Sequence, residues 1–359
     1  MRGFEEAPFL VLWEVTQACD LACVHCRASA LPLRSPLELS TEEGRLLLAE
    51  IRRFGEPLVV FTGGDPLKRP DLFELLQHSV GLGLRTTITP SVTPLLTEEA
   101  ILGFRDCGVA RMAVSLDGPD AATHDRFRRV HGSFDRTLFA LDCARRLGLS
   151  TQVNTTVTRQ TLPRLAETAA RVAAAGARLW SVFFLVVTGR ALAEQDLTAE
   201  EYEEVFAFLY DLSKTAPFDI KTTEAQHYRR YFAQRRKAEG ARQASSEPSD
   251  AIQRQAGIND GKGFVFVSHI GEIFPSGFLP LAAGNVRRDS LVEVYRNAPL
   301  FRELRDSGRL RGKCGACQYR NLCGGSRSRA YATTGDYLAE DPCCVYQPAA
   351  LAAGAARMS

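Results

Sequence analysis

The chain has 359 residues, 45% of them hydrophobic and 24% charged, with a formal net charge of +2. That length allows roughly two domains, and the near-cancelling charge gives no electrostatic case for a nucleic-acid partner. No apolar run approaches the ~18 residues of a membrane span, residues 1–8 do not read as a signal peptide, and ten cysteines in such a chain point to the cytoplasm and to metal chemistry rather than disulfides.

The first apolar run, Phe9-Leu10-Val11-Leu12-Trp13, reads as a strand. It leads into Cys19, Cys23 and Cys26, spaced C-x3-C-x2-C. Three thiolates can hold three irons of a [4Fe-4S] cube and leave the fourth iron open to a small chelating ligand. Zinc, disulfides and inert buried cysteines are the competing readings of the triplet. Ser40 with Glu43 makes a capping-box pattern ahead of an apolar helix that stops near Gly55. Further strands are expected at 57–62, 84–90, 111–116, 151–157 and 179–187. Helices are expected at 71–80, 97–107, 135–147, 162–175 and 198–212. Six β/α units imply a parallel sheet with helices packed outside it. A closed eight-unit barrel would need two more units, so the expected fold class is α/β, a partial (β/α)6 TIM-like barrel open on one side.

Two strand ends carry polar motifs. Thr62-Gly63-Gly64-Asp65-Pro66 follows the second strand, and its glycines let backbone approach a ligand closely. Ser115-Leu116-Asp117-Gly118-Pro119 ends the fourth strand, followed by His124, Asp125 and Arg128. A guanidinium suits a carboxylate because its forked donors match two oxygens. Asn154 on the fifth strand and Thr87 and Thr89 on the third could meet ribose hydroxyls, or could be satisfied polar groups within the barrel. Cys107 and Cys143 fall on helices and read as core.

Beyond the barrel the pattern changes. Residues 233–262 are polar and read as a linker or loop. A hairpin is expected from Phe264-Val265-Phe266-Val267 and Gly271-Glu272-Ile273-Phe274. A cysteine-rich tail follows: Cys314, Cys317 and Cys323 in C-x2-C-x5-C, then Cys343-Cys344. By spacing alone this is a metal site, either zinc or iron–sulfur. The expected divisions are a core at 1–232, a linker at 233–262, a cluster domain at 263–348 and a frayed end at 349–359.

The cysteine triplet, the glycine pair and the S-L-D-G-P…H-D-x-x-R stretch together resemble the radical S-adenosylmethionine (SAM) enzymes, over essentially the whole chain. That family has a (β/α)6 core. The resemblance implies that SAM chelates the open iron of the Cys19/Cys23/Cys26 cluster, whose reduction by an external flavodoxin- or ferredoxin-type donor cleaves SAM to a hydrogen-abstracting 5′-deoxyadenosyl radical. It implies that Gly63, Gly64 and Asp65, in place of the family's G-G-E motif, lie against the SAM amino group. It assigns Ser115 and Arg128 to the SAM carboxylate, and places His25 near the adenine.

The tail is similar to SPASM/Twitch extensions. A second cluster there uses C-x2-C-x5-C plus a late cysteine, implying one auxiliary [4Fe-4S] cluster on Cys314, Cys317, Cys323 and Cys344, with Cys343 spare. The position where such domains have a cysteine for a further cluster holds Arg327. Trp13-Glu14-Val15-Thr16-Gln17-Ala18-Cys19, Phe183-Phe184-Leu185 with Thr188-Gly189-Arg190, Pro275-Ser276-Gly277 and Gly335-Asp336-Tyr337-Leu338 resemble the haem-biosynthesis branch, whose members remove or oxidatively decarboxylate side chains of tetrapyrroles. From its placement at the end of the sixth strand, Arg190 is expected to meet a carboxylate of such a substrate. A peptide maturase is the alternative reading, and a non-catalytic iron–sulfur electron carrier a third.

Overall fold

The computed structural model describes residues 4–240, 257–349 and 351. Seven parallel strands come first: β1 (Leu10–Thr16), β2 (Leu58–Gly63), β3 (Arg85–Ile88), β4 (Arg111–Ser115), β5 (Thr151–Val157), β6 (Leu179–Phe184) and β7 (Asp219–Thr223). Helices α1 (Thr41–Arg52), α2 (Leu72–Gly81), α3 (Glu98–Asp106), α4 (Ala121–Arg128), α5 (Ser133–Arg146), α6 (Leu165–Ala174), α7 (Ala199–Leu212) and α8 (Tyr228–Ala238) connect and follow them. The strands β8 (Phe264–Val267), β9 (Glu272–Phe274) and β10 (Gly284–Asn285) complete one open ten-stranded sheet in the order β10-β9-β8-β1-β2-β3-β4-β5-β6-β7.

Four of these helices, α1, α3, α4 and α7, begin where the sequence supplies a side-chain oxygen for orphan amides. Ser40 and Glu43 close a reciprocal capping box on α1, and Thr198 with Glu201 does the same on α7. Strand alternation then sorts the side chains. Val11, Trp13 and Val15 of β1 are fully buried in the helix-covered core with Leu47, Leu48 and Ile51 of α1. The alternate residues point to the inner face, where Thr62, Ser115, Asn154, Thr156 and Phe183 meet around a cavity.

The partial barrel is as expected, with three differences of detail. A seventh parallel strand, β7, is present. Its sequence, Asp219-Ile220-Lys221-Thr222-Thr223, has one strongly apolar residue, Ile220, which is also the one buried residue of the strand. The expected linker begins inside α8, which runs through position 233, while 241–256 of it lie outside the described residues, as do most of 349–359. The expected hairpin exists as β8 and β9, but β8 also pairs in parallel with β1, so the segment after 262 continues the barrel sheet. Among the described residues no helix is long and apolar enough to cross a membrane.

Candidate active site

The loop after β1 carries Cys19, Cys23 and Cys26 to the carboxyl ends of the parallel strands, the end at which open α/β sheets hold ligands. All three line one cavity of about 230 Å³. The loop is pinned from both sides. The Cys19 amide donates to the Leu31 carbonyl (2.8 Å), and the Cys26 carbonyl accepts from the Arg190 amide (3.0 Å). Around the sulfurs stand donors: Leu21 N–H at 3.3 Å from Cys19, Ala30 N–H at 3.5 Å from Cys26, and the Arg128 guanidinium at 3.5 Å from Cys23, while the Cys19 thiol itself donates to the Ser91 hydroxyl at 3.4 Å. Burial pushes the Cys19 thiol up. Three sulfurs with such donors around shared space suit an iron–sulfur cluster, whose sulfurs are tuned by hydrogen bonds.

Gly63 and Gly64 line the same cavity. Gly64 is required by proximity, since a Cβ there would lie 2.3 Å from the Ala18 carbonyl oxygen. The amides of Gly64 and Asp65 are already spent on Thr16 and Ala18 carbonyls (2.8 and 2.6 Å), and the Gly64 carbonyl accepts from Ser91 (2.6 Å). Asp65 does not line the cavity. Its fully buried carboxylate accepts from Thr93 Oγ1 (2.7 Å) and Leu67 N (3.2 Å), and burial raises its pKa to about 6. The Asp65 side chain thus braces the turn that carries the glycines.

Ser115, Arg128 and Asn154 do converge on the cavity. Arg128, at the end of α4, is aimed by Asp117, whose Oδ2 accepts from Arg128 Nε at 2.7 Å. Asp117 is wholly buried and also accepts from the Thr156 amide (2.8 Å). Burial opposes charge on both partners, but their attraction prevails, lowering the Asp117 pKa and raising that of Arg128. The remaining guanidinium edge faces Cys23. Asn154 Oδ1 accepts from Gln152 (2.7 Å), Thr89 lines the cavity, and Thr87 instead bonds the Val59 carbonyl (3.2 Å). His25 stacks on Phe127 at 4.3 Å, and burial lowers its pKa to about 3, so its ring is neutral.

Arg190 does not line the cavity. Its guanidinium donates to the Cys23 and Ala30 carbonyls (3.0 and 3.1 Å), clamping the cysteine loop. Gly189 makes this possible: its φ is +61°, and a Cβ there would lie 2.3 Å from the Cys26 carbonyl oxygen. Sequence reasoning missed Asp117 as the holder of Arg128, although it sits in the quoted motif. It also missed Arg27, which lines the cavity, pairs with Glu14 and lies 4.6 Å from the centre of the Phe266 ring. Adjacency to Cys26 was the available signal.

The tail brings Cys314, Cys317, Cys323 and Cys344 around a second, much smaller space of about 20 Å³, with His227, Arg230 and Tyr346. Backbone amides point at the sulfurs: Asp341 N to Cys314 (3.4 Å), Tyr319 N to Cys317 (3.4 Å) and Gly325 N to Cys323 (3.3 Å). Cys343 does not line this space; it is buried in the core, near Tyr202 and Arg329. Arg327 fills the position that lacks a cysteine, with its guanidinium on the Tyr337 and Ala339 carbonyls (3.0 and 2.6 Å) and 3.7 Å from Cys314. Among the described residues no three His, Cys, Asp or Glu side chains close on a single ion; each cysteine set surrounds a space. Cys107 and Cys143 are buried on the outer helices, as expected.

Residues 13–172 match the radical SAM superfamily. The chain is 43% identical over 342 residues to an AdoMet-dependent heme synthase of Oleidesulfovibrio alaskensis, spanning 94% of this chain and 87% of the relative. It is 40% identical over 348 residues to an AdoMet-dependent heme synthase of Methanosarcina barkeri, spanning 97% and 99%. The fold is shared with Streptococcus suis SuiB bound to S-adenosylmethionine, at a TM-score of 0.74 and 16% identity, over 95% of this chain and 78% of that one. The chain belongs to the radical SAM superfamily, enzymes that work with a [4Fe-4S] cluster and S-adenosylmethionine.

Proposed function

We propose that this enzyme makes haem-type vinyl groups by oxidative decarboxylation of propionate side chains on an iron coproporphyrin. The observation that carries this reading is the 40–43% identity, over nearly the full length, to relatives named heme synthases. Cys19, Cys23 and Cys26 would hold the SAM-binding cluster, which supplies low-potential electrons for cleavage of SAM when bound. The chain's own residues do the positioning. Arg128, preset by Asp117, offers its guanidinium to the SAM carboxylate, with Ser115 beside it. Gly63 and Gly64 keep the wall thin enough for close approach, and the neutral ring of His25 offers an apolar face. Phe183, Leu185, Val186 and Phe278 give the cavity an apolar side that excludes water from the reacting C–H.

Converting a propionate to a vinyl group releases CO2 and takes one hydrogen atom and one further electron from the substrate. Cys314, Cys317, Cys323 and Cys344 would hold an auxiliary [4Fe-4S] cluster, a group able to accept one electron when bound. An external low-potential donor of flavodoxin or ferredoxin type, in the cytoplasm, completes the requirement. The parts assigned are a SAM-handling core in 1–232 and a cluster-bearing tail in 263–348.

The test is mass analysis of iron coproporphyrin after anaerobic incubation with reconstituted enzyme, SAM and reductant. Loss of two carboxyl groups supports the reading. SAM cleavage without change to the porphyrin overturns it and favours a peptide substrate.

A further inference from the structure

The inner face of the barrel continues past the SAM-side cavity, and one cation on it has no counter-charge within ion-pair distance among the described residues. On β7, Ile220 points outward into the core, so Lys221 shares the opposite face with Thr223. That face is fixed by a side-chain contact, since Thr223 Oγ1 lies 3.2 Å from Ser181 Oγ on β6. Strand register then sets a single row across four strands: Ser115 opposite Asn154, Asn154 opposite Ser181, and Ser181 opposite Lys221. Ser115 and Asn154 line the cavity. Lys221 stands two strands further on, roughly 10 Å from Asn154 at the ordinary interstrand spacing.

Its surroundings are cationic. The charges acting on Lys221 are those of Arg229 on α8 and Arg111 on β4, and both repel it. Arg229 is itself satisfied by carbonyls rather than by an acid, donating to Ile258 (2.7 Å) and Leu322 (3.4 Å). Among the described residues no carboxylate lies within ion-pair distance of Lys221 and none accepts a hydrogen bond from its ammonium. Burial, with these two cations, lowers its pKa to about 8, which leaves it mainly charged at neutral pH. A half-buried ammonium beside other cations carries a desolvation cost that none of the described residues offsets with an ion pair. An anionic ligand would offset it.

We propose that Lys221 anchors a carboxylate of the substrate inside the barrel, so that a polycarboxylated macrocycle spans from β7 to the SAM-side cavity. This rests on the tetrapyrrole reading above. It assigns a substrate-carboxylate role to Lys221 on the inner face, whereas Nε and Nη1 of Arg190 are bonded to the cysteine loop. A charge-assisted contact of this kind changes affinity by about tenfold or more when removed.

The experiment is an absorbance titration of the reconstituted full chain with iron coproporphyrin and, separately, with its tetramethyl ester. It compares wild type, Lys221→Gln and Lys221→Arg, with iron content and thermal melting as checks on folding. The expected result is a Kd for the free acid raised about tenfold or more in Lys221→Gln, largely restored in Lys221→Arg, with ester binding alike in all three. Free-acid binding as tight in Lys221→Gln as in wild type overturns the inference and leaves the tetrapyrrole reading standing. No porphyrin binding by wild type overturns the tetrapyrrole reading, and this inference with it. If Lys221→Gln does not fold, amine labelling of Lys221 in the unmutated protein decides. Slower labelling with bound porphyrin supports the anchor, and an unchanged rate overturns it.

Discussion

The two cysteine sites differ in the number of sulfurs and in room. At the barrel mouth three cysteines share a cavity of about 230 Å³ with hydroxyls, an amide and a guanidinium, whereas in the tail four cysteines enclose about 20 Å³. Three thiolates leave one iron of a cube without a protein ligand, and the larger space lets a ligand of SAM's size reach it. Four thiolates complete the ligand set, and the smaller space admits no substrate. On the proposed reading, one chain would build an open site and a closed site from the same side chain by changing ligand number and surrounding volume. The supports differ too. The open site is held by a charged pair and by Arg190 from another loop; the closed site is held by amides of its own segment and by Arg327.

The sharpest break of this comparison is cysteine replacement. Cys23→Ala should abolish 5′-deoxyadenosine formation and lower iron from about eight to about four atoms per chain. Cys344→Ala should lower iron by the same amount, while Cys343→Ala leaves it unchanged; the reverse pattern would reassign the fourth ligand. Asp117→Ala leaves Arg128 buried without its anion, so denaturant unfolding should show a loss of about 3–5 kcal/mol, together with weaker SAM binding by titration. Arg190→Ala should cut iron affinity of the barrel site about 10–100-fold, as loss of an outer-shell support does, with porphyrin affinity unaltered in fully loaded protein. A rise in porphyrin Kd there would restore the substrate role to Arg190.

The smallest effect concerns the tie between α1 and the tail. Glu43 Oε1 lies 2.7 Å from Arg287 Nε, and hydrogen bonds from Arg287 and Ser40 lower its pKa to about 2. A depressed acid pKa stabilises the fold above about pH 4.5, and the gain is lost as pH falls towards 2. The pair is a third exposed, so solvent screening holds Glu43→Gln to a loss of at most about 1 kcal/mol at pH 7. Denaturation curves of variant and wild type should converge near pH 2.

Much of this was legible because the chemistry sits in short motifs at strand ends. The cysteine spacings, Gly63-Gly64 and Ser115 with Arg128 converge as their placement in a β/α alternation demands. What could not be read were pairings over long separations. The parallel contact of β8 with β1 joins Leu10 to Phe264, and no local pattern announces it. Strand β7 was hidden because its inner face carries Lys221 and Thr223 rather than apolar residues. Arg190 misled for a related reason: an arginine at a strand end reads as a ligand for an anion, and only the Gly189 turn reveals that it bends back onto the cysteine loop. At Asp65 the sequence did not reveal that the carboxylate turns into the interior, where it accepts from Thr93.

The most direct test of the account is a single-turnover count of 5′-deoxyadenosine against carboxyl groups lost from iron coproporphyrin. The account predicts one 5′-deoxyadenosine per carboxyl released as CO2, and two per porphyrin at completion. 5′-Deoxyadenosine formed at a rate indifferent to porphyrin, with all four carboxyl groups retained, would contradict it.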